Sequence, residues 1–234
     1  MKKIQTLISA VALFSFSLFS SCLDDGKETI VLEDEEVAAT GIYRAVPKAT
    51  VEKLQNHMPI YEGDNPPSIE GCYLIDPMVV VYCEDQGNGG YDPGEEVIET
   101  KIRFSNQNNG KGTIDYEGES GSSREVGKGA FISGDGNNFT AYFDTDGEHD
   151  GNSGIIKTTR ALIISGTKTS SGIKDLKYAF TMVKKVGDVD DELMEEGVYR
   201  VFKDKDGLAK NSTWTYSKKY AAGQPLPSIM QKVK

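Results

Sequence analysis

The residues between Ile69 and Lys185 follow a two-residue repeat for most of their length, and this constrains the fold more than any other feature. In the run Ile98-Glu99-Thr100-Lys101-Ile102-Arg103-Phe104, apolar or β-branched residues alternate with charged ones, as in a strand with one buried and one solvated face. Similar runs lie at residues 72–75, 79–83, 113–116, 129–133, 139–143, 161–165 and 176–184, separated by turns rich in glycine, asparagine and serine. No helical pattern separates these runs, and parallel pairing would need long crossovers. The sequence therefore predicts an antiparallel sheet.

About eight consecutive strands joined by short loops predict an all-β fold. An up-and-down antiparallel barrel suits them best, because closure removes the exposed strand edges, and a β-sandwich is the alternative. Before the first strand, Val51, Leu54 and Met58 share one face at helical spacing, which predicts a short helix over residues 47–58. We therefore assign residues 39–186 to a barrel domain with an N-terminal strand and this helix.

The remaining residues, 187–234, are predicted to form a C-terminal strand and an irregular tail packed on the barrel. Gly197-Val198-Tyr199-Arg200-Val201-Phe202 repeats the pattern of Gly41-Ile42-Tyr43-Arg44-Ala45-Val46. The two segments are either strand openings that lie side by side near the barrel seam or similar strands without a relationship.

The first 21 residues have the order of a secretory signal. Lys2 and Lys3 form a positive start, an apolar stretch interrupted only by serines follows, and Ser20 and Ser21 precede Cys22. The apolar stretch is too short to span a bilayer, which needs about 20 apolar residues. The acidic residues that follow, within 22–38, predict a solvated tether.

Leu18-Phe19-Ser20-Ser21-Cys22 resembles the lipobox of bacterial lipoproteins. The resemblance implies that Cys22 is acylated, becomes the new N-terminus and anchors the chain to a membrane. Leu23-Asp24-Asp25 resembles the acidic export signal of surface lipoproteins in Bacteroidetes-type bacteria. That implies a lipid-anchored protein on the surface of the outer membrane, with a periplasm-facing anchor as the alternative.

Residues 69–186 resemble the lipocalin-like domains found in lipoproteins of these bacteria. The likeness depends on the strand count, the short preceding helix and the opening Gly71-x-Tyr73, where lipocalins have Gly-x-Trp. It implies a closed barrel, sometimes with a ligand cavity, and no single shared activity.

Cys72 and Cys83 form the most informative pair within the domain. If Pro77 and Met78 are the central residues of a tight turn, the two strands pair so that Cys72 faces Cys83. Directly opposed cysteines lie near disulfide distance, and export permits oxidation. The sequence is therefore compatible with a disulfide, and two buried free thiols are the alternative.

Four acids alternate at Asp144, Asp146, Glu148 and Asp150, with glycines between and after them. Oxygen ligands at such spacing can wrap a calcium ion, but the order of an EF-hand loop is not met. A solvated hairpin loop is therefore the favoured interpretation, and a calcium site is the alternative.

Charge and motifs narrow the function. The chain has 26 basic and 36 acidic side chains, and loss of Lys2 and Lys3 with the signal leaves a formal charge of −12, which disfavours nucleic acid as a partner. His57 and His149 are the only histidines and neither has a supporting catalytic motif, so we expect neither an enzyme nor a cofactor. The expected function is non-enzymatic binding of a small molecule or glycan; docking to an envelope protein complex as a structural lipoprotein is the alternative.

Overall fold

The computed structural model describes residues 48–85, 90–120 and 123–214. One helix, α1 (Lys48–Leu54), precedes twelve strands that belong to a single sheet. The strands are β1 (Asp64–Asn65), β2 (Gly71–Ile75), β3 (Met78–Cys83), β4 (Glu96–Val97), β5 (Thr100–Asn108), β6 (Thr113–Ser120), β7 (Ser123–Asp135), β8 (Asn138–Gly151), β9 (Gly154–Lys168), β10 (Gly172–Val186), β11 (Tyr199–Asp204) and β12 (Leu208–Asn211). The all-β prediction is confirmed.

Eight of these strands form a closed ring of hydrogen-bonded neighbours. From β2 the order is β5, β6, β7, β8, β9, β10 and β12, and β12 pairs with β2 again. Every pairing in the ring is antiparallel, and the short β1 adds a parallel bridge outside it, from Asp64 to Gly134. The predicted count of eight strands is therefore met, but the eighth comes from the segment that we assigned to a C-terminal strand and tail.

The expected turn at Pro77 is absent, which explains this difference. Ile75 faces Thr100 and Met78 faces Val97, so both sides of the ladder advance by three residues without a break in register. β2 and β3 are thus two parts of one kinked strand beside β5 and β4. The predicted pairing of β2 with β3 is wrong, because the two parts follow one another in line and pair with other strands, β2 with β5 and β12, and β3 with β4 and β11.

The neighbouring segment bends at the same level. β11 pairs with β3 and β12 pairs with β2, and the residues between β11 and β12 form a bulge next to the kink. The buried carboxylate of Asp204 accepts a hydrogen bond from the amide of Asp76 at 3.1 Å, and the amide of Lys205 donates to the carbonyl of Pro77 at 3.0 Å. These two bonds join the kink between β2 and β3 to the bulge between β11 and β12.

Side chains from all eight ring strands meet in one hydrophobic cluster inside the ring. One member from each strand is, in ring order, Tyr73, Phe104, Tyr116, Ile132, Phe143, Leu162, Tyr178 and Ala209. The opposite face of β8 to β11 forms a second cluster with α1, in which Val51, Leu54 and Met58 are buried as their spacing predicts. The helix is shorter than predicted, since a turn at residues 55–57 follows Leu54.

Several predictions lie outside the described residues. They concern the signal, Cys22 and the tether, the strand at residues 41–46 and the tail after Trp214. No helix within the described part of the chain is both long enough and apolar enough to cross a bilayer.

Candidate functional site

Polar side chains replace apolar ones on the inner face of the ring towards one end. At this end β6, β8 and β10 finish and β7, β9 and β11 begin, and we call it the Glu125 end. Glu125 of β7 is 5% exposed and Arg160 of β9 is 8% exposed, although both carry ionisable groups. Thr145 of β8 lies directly opposite Arg160, and its side chain is also buried.

Glu125 is held by two different partners. Its Oε2 lies 3.6 Å from Nη1 of Arg160, and its Oε1 accepts a hydrogen bond of 2.8 Å from the hydroxyl of Tyr178. The hydroxyl oxygens of Tyr178 and Tyr116 lie 3.1 Å apart. The hydroxyl of Thr145 donates to the backbone carbonyl of Arg160. A connected polar network therefore crosses the interior from β6 to β10.

The electrostatics of this network follow from its burial. Burial raises the pKa of Glu125, and the charge of Arg160 together with the hydrogen bond from Tyr178 acts against this rise. Burial, reinforced by the negative charge of Glu125, raises the pKa of Tyr116 and Tyr178 well above the ordinary value. Both tyrosines are therefore neutral hydroxyls near neutral pH, able to donate and to accept hydrogen bonds.

Glycines make room for the network. Gly118 faces Glu125 across β6 and β7, and a Cβ atom on Gly118 would overlap the hydroxyl of Tyr116. Gly147 faces Thr158 across β8 and β9, and a Cβ atom there would lie 3.0 Å from the Thr158 hydroxyl. The absence of a side chain at Gly118 thus allows Tyr116 to extend towards Tyr178.

Three buried polar atoms of the inner face have no hydrogen-bond partner within the described part of the protein. They are Oγ1 of Thr158, Nε of Arg160 and Oγ1 of Thr100. Thr158 is 3% exposed and Thr100 is 1% exposed, so the side chains have little access to bulk water. Buried polar groups in folded proteins nearly always have a partner, and the lack of one at two successive inward positions of β9 and at one of β5 calls for an explanation. A bound polar molecule would supply the missing partners.

A second charged pair lies at the same end of the ring. Arg200 of β11 donates from Nε to Oδ1 of Asp85 at 3.2 Å and from Nη2 to Oδ2 at 2.5 Å, and its guanidinium lies 5.0 Å from the ring centre of Tyr91. Burial would raise the pKa of Asp85, but its bonds with Arg200 hold the pKa below the ordinary value. This pair attaches the segment after β3 to β11.

The two domain cysteines are free, which agrees with the alternative of two unbonded thiols and not with the possible disulfide. Cys72 is near the start of β2 and faces Arg103, whereas Cys83 ends β3 and faces Arg200. They lie near opposite ends of one kinked strand, separated by about 36 Å of strand at about 3.3 Å per residue, and a disulfide requires Cα atoms within about 7 Å. Burial raises the pKa of both thiols.

The alternating acids belong to a strand and not to a loop. Asp144, Asp146, Glu148 and Asp150 all lie within β8, so the hairpin-loop interpretation is wrong. Alternate residues of a strand are about 6–7 Å apart along its axis, which spreads the carboxylates of Asp144, Asp146 and Glu148 instead of gathering them. Among the described residues, no group of three or more histidine, cysteine, aspartate or glutamate side chains is arranged to hold a metal ion.

The polar network was not predicted from the sequence. Thr158 and Arg160 precede Leu162 and Ile164 at the same two-residue spacing, so all four lie on one face of β9, and this spacing would have indicated a charge inside the ring. Comparison with known proteins gives no further guidance, because no family model, no curated protein and no solved structure matches this chain.

Proposed function

We propose that this protein is a lipid-anchored, non-enzymatic binding protein whose ring is a lipocalin-like barrel that holds a small polar molecule at the Glu125 end. The observation that carries the proposal is the set of unpartnered buried atoms on the inner face, Thr158 Oγ1, Arg160 Nε and Thr100 Oγ1. Leaving such groups without partners costs about 1–3 kcal/mol each, and a ligand that pairs with them recovers this free energy.

The barrel is proposed from the ring. Eight strands follow one another around it, and the last pairs with the first, as in an up-and-down barrel. The filled half, with Tyr73, Phe104 and Phe139, would form the closed floor, and the polar half would form the binding region. Binding regions of this kind combine apolar walls with a few fixed polar groups.

Binding is proposed in preference to catalysis because of how Glu125 is engaged. A general base needs a free oxygen that faces the substrate, whereas one oxygen of Glu125 faces Tyr178 and the other faces Arg160. The carboxylate and the guanidinium thus compensate each other and fix the geometry of the site.

The membrane address is proposed from the sequence alone. Cys22 would carry the acyl chains, and residues 22–38 would hold the domain away from the lipid. The acidic residues Asp24 and Asp25 favour the outer surface of the outer membrane over a periplasm-facing position. Mass spectrometry of the native N-terminus tests the anchor, and protease treatment of intact cells tests the surface position.

A thermal-shift screen of the purified full chain tests the binding function. The screen contains sugars, amino acids, fatty acids, nucleotides and calcium, because a ligand that binds only the folded protein raises its melting temperature. We expect one class of polar small molecules to give a saturable rise. A screen without any saturable shift contradicts the binding function.

Docking to an envelope protein complex is the second candidate, and exposed aliphatic side chains favour it. Ile155, Val186 and Val189 are 48%, 53% and 76% exposed, and Gly187, between the two valines, packs against the backbone of Ile155. A docking role predicts that an Ile155→Ser, Val189→Ser double variant releases the protein from a complex isolated from its native membrane. Retention in the same complex would contradict docking through this surface.

A further inference from the structure

The charges inside the Glu125 end occur as compensated pairs. Glu125 faces Arg160, and Asp85 faces Arg200. A ligand with a net charge would have to separate one of these pairs, because a buried ion without a partner is costly. The interior therefore favours a neutral ligand.

The loop between β10 and β11, at the Glu125 end, also disfavours an anionic ligand. The loop between β10 and β11 contributes Asp190, Glu192 and Glu196 in addition to the three carboxylates that contact Lys185. Carboxylates concentrated in this loop repel anions that approach this end of the ring. An anionic ligand is therefore disfavoured both on approach and inside.

The unpartnered atoms define what the ligand must offer. The Nε–H of Arg160 can only donate, so the ligand needs an acceptor oxygen near it. The hydroxyls of Thr158 and Thr100 can each donate and accept, so they suit a molecule whose own hydroxyls do both. The Arg160 guanidinium lies 5.5 Å from the ring centre of Phe180, which places an apolar surface beside these polar atoms.

We infer that the ligand is a neutral sugar unit, which carries several hydroxyl oxygens and an ether oxygen on an apolar carbon frame. This inference rests on the proposed function and narrows its ligand class. The same chemistry is present in a free monosaccharide and at the end of a polysaccharide chain, and the sugar binds through Thr158, Arg160 and Thr100 in either case.

Matched sugars test the ligand class on the purified full chain. Calorimetric titrations compare neutral hexoses with the uronic acid and the amino sugar of the same ring, so that only the charge changes. We expect a neutral hexose to bind at least about tenfold more tightly than both charged forms. Titration with a short oligosaccharide that ends in the same hexose distinguishes the sources, because a polymer-binding site prefers the oligosaccharide and a free-sugar site prefers the hexose.

Two variants on one strand test the location. Thr158→Val keeps the shape of the side chain and removes an unpartnered hydroxyl, so the ligand-free protein should melt at the same temperature or higher while the sugar affinity falls about three- to tenfold. Ser165→Ala is the control, since it also removes a buried, unpartnered hydroxyl from β9, but on the face opposite Ile164 and Leu162. Its sugar affinity should equal that of the native protein.

The outcomes separate the inference from the proposed function. Tighter binding of a charged analogue, or an unchanged affinity in Thr158→Val, overturns the sugar assignment although a binding protein remains. The failure of every compound in the broader screen overturns the proposed function, and the sugar assignment with it.

Discussion

The carboxylate of Asp204 accepts the amide hydrogen of Asp76 at 3.1 Å, and this contact joins the bulge of one ring strand to the kink of its neighbour. Asp204 is 2% exposed, and its other oxygen accepts from the amides of Asp206 and Leu208. A single side chain therefore satisfies three backbone donors. Without it the bond from the amide of Lys205 to the carbonyl of Pro77 would remain between the two irregular segments.

Replacing Asp204 with alanine should consequently destabilise the fold. The amides of Asp76 and Asp206 lose the buried carboxylate that accepts their hydrogens, the amide of Leu208 keeps only Asp206 as an acceptor, and we expect the free energy of unfolding in urea to fall by about 2–3 kcal/mol. Asp206→Ala is the control in the same turn, because Asp206 is exposed and its loss should have a much smaller effect. Equal losses in the two variants would contradict a special role for Asp204.

Gly118→Ala tests the packing that orients the network. The new methyl group overlaps the hydroxyl of Tyr116, so the variant should lose about 1–3 kcal/mol of stability. Tyr116→Phe removes that hydroxyl, and the double variant should be more stable than the sum of the single effects implies. Strict additivity in this double-mutant cycle would show that the two residues do not collide.

The pH dependence of Glu125→Gln follows from the pKa of Glu125. Burial raises the folded-state pKa above the ordinary value of 4.5, so the native protein binds the proton more tightly than the unfolded chain does. The stability contributed by this site is therefore fully present below that value and is lost as the pH rises through the raised pKa. We expect native stability, measured relative to the glutamine variant by urea unfolding, to decrease as the pH rises above the ordinary value of 4.5. An increase would mean that Arg160 dominates over burial.

The thiols of Cys72 and Cys83 should differ in reactivity. Cys72 is half-buried and Cys83 is 2% exposed, and burial raises the pKa of both, which keeps the reactive thiolate scarce. Single Cys→Ala variants should show slow labelling of Cys72 in the native state and labelling of Cys83 only in denaturant. A reducing agent should leave the melting temperature unchanged, whereas a reductant-dependent shift would contradict the separation of the two cysteines.

Lys185→Met tests the attachment of the loop between β10 and β11. Nζ of Lys185 lies 2.8 Å from Asp188, 3.0 Å from Asp191 and 3.3 Å from Glu195, and it donates to the carbonyl of Leu193. Burial alone would lower the pKa of Lys185, but these carboxylates raise it. We expect a loss of about 1–2 kcal/mol and faster proteolysis within the loop. Lys184→Met, at the exposed neighbouring position, should change neither measurement.

The fold was predictable where the two-residue repeat is uninterrupted. Leu176, Tyr178 and Phe180 on β10 and Ile102 and Phe104 on β5 lie on the inner face, as their alternation predicts. Pro77 was misleading, because proline is typical of turns and only the continuous register beyond it shows that the strand goes on. Strand β12 has four residues, and Ala209 is its buried side chain. This apolar pattern is too short to predict a strand of the ring.

The candidate site was less predictable for a physical reason. Glu125 and Arg160 have the residue types expected on a solvated face, and for Glu125 only the three-dimensional pairing with Arg160 shows that the side chain lies inside the ring. Gly118 and Gly147 leave no apolar side chain at their positions, which hides the inner face of β6 and β8 at this end. Neither feature can be recognised from residue types alone.

Because β12 completes the ring, a growing chain that stops short of residue 208 leaves one edge of β2 and part of one edge of β10 without a hydrogen-bonded strand. The first and last strands must find each other across nearly the whole length of the domain, and such distant pairings form slowly. The export that we propose would benefit from this delay, since a polypeptide whose ring has not yet closed can still pass through a translocation channel.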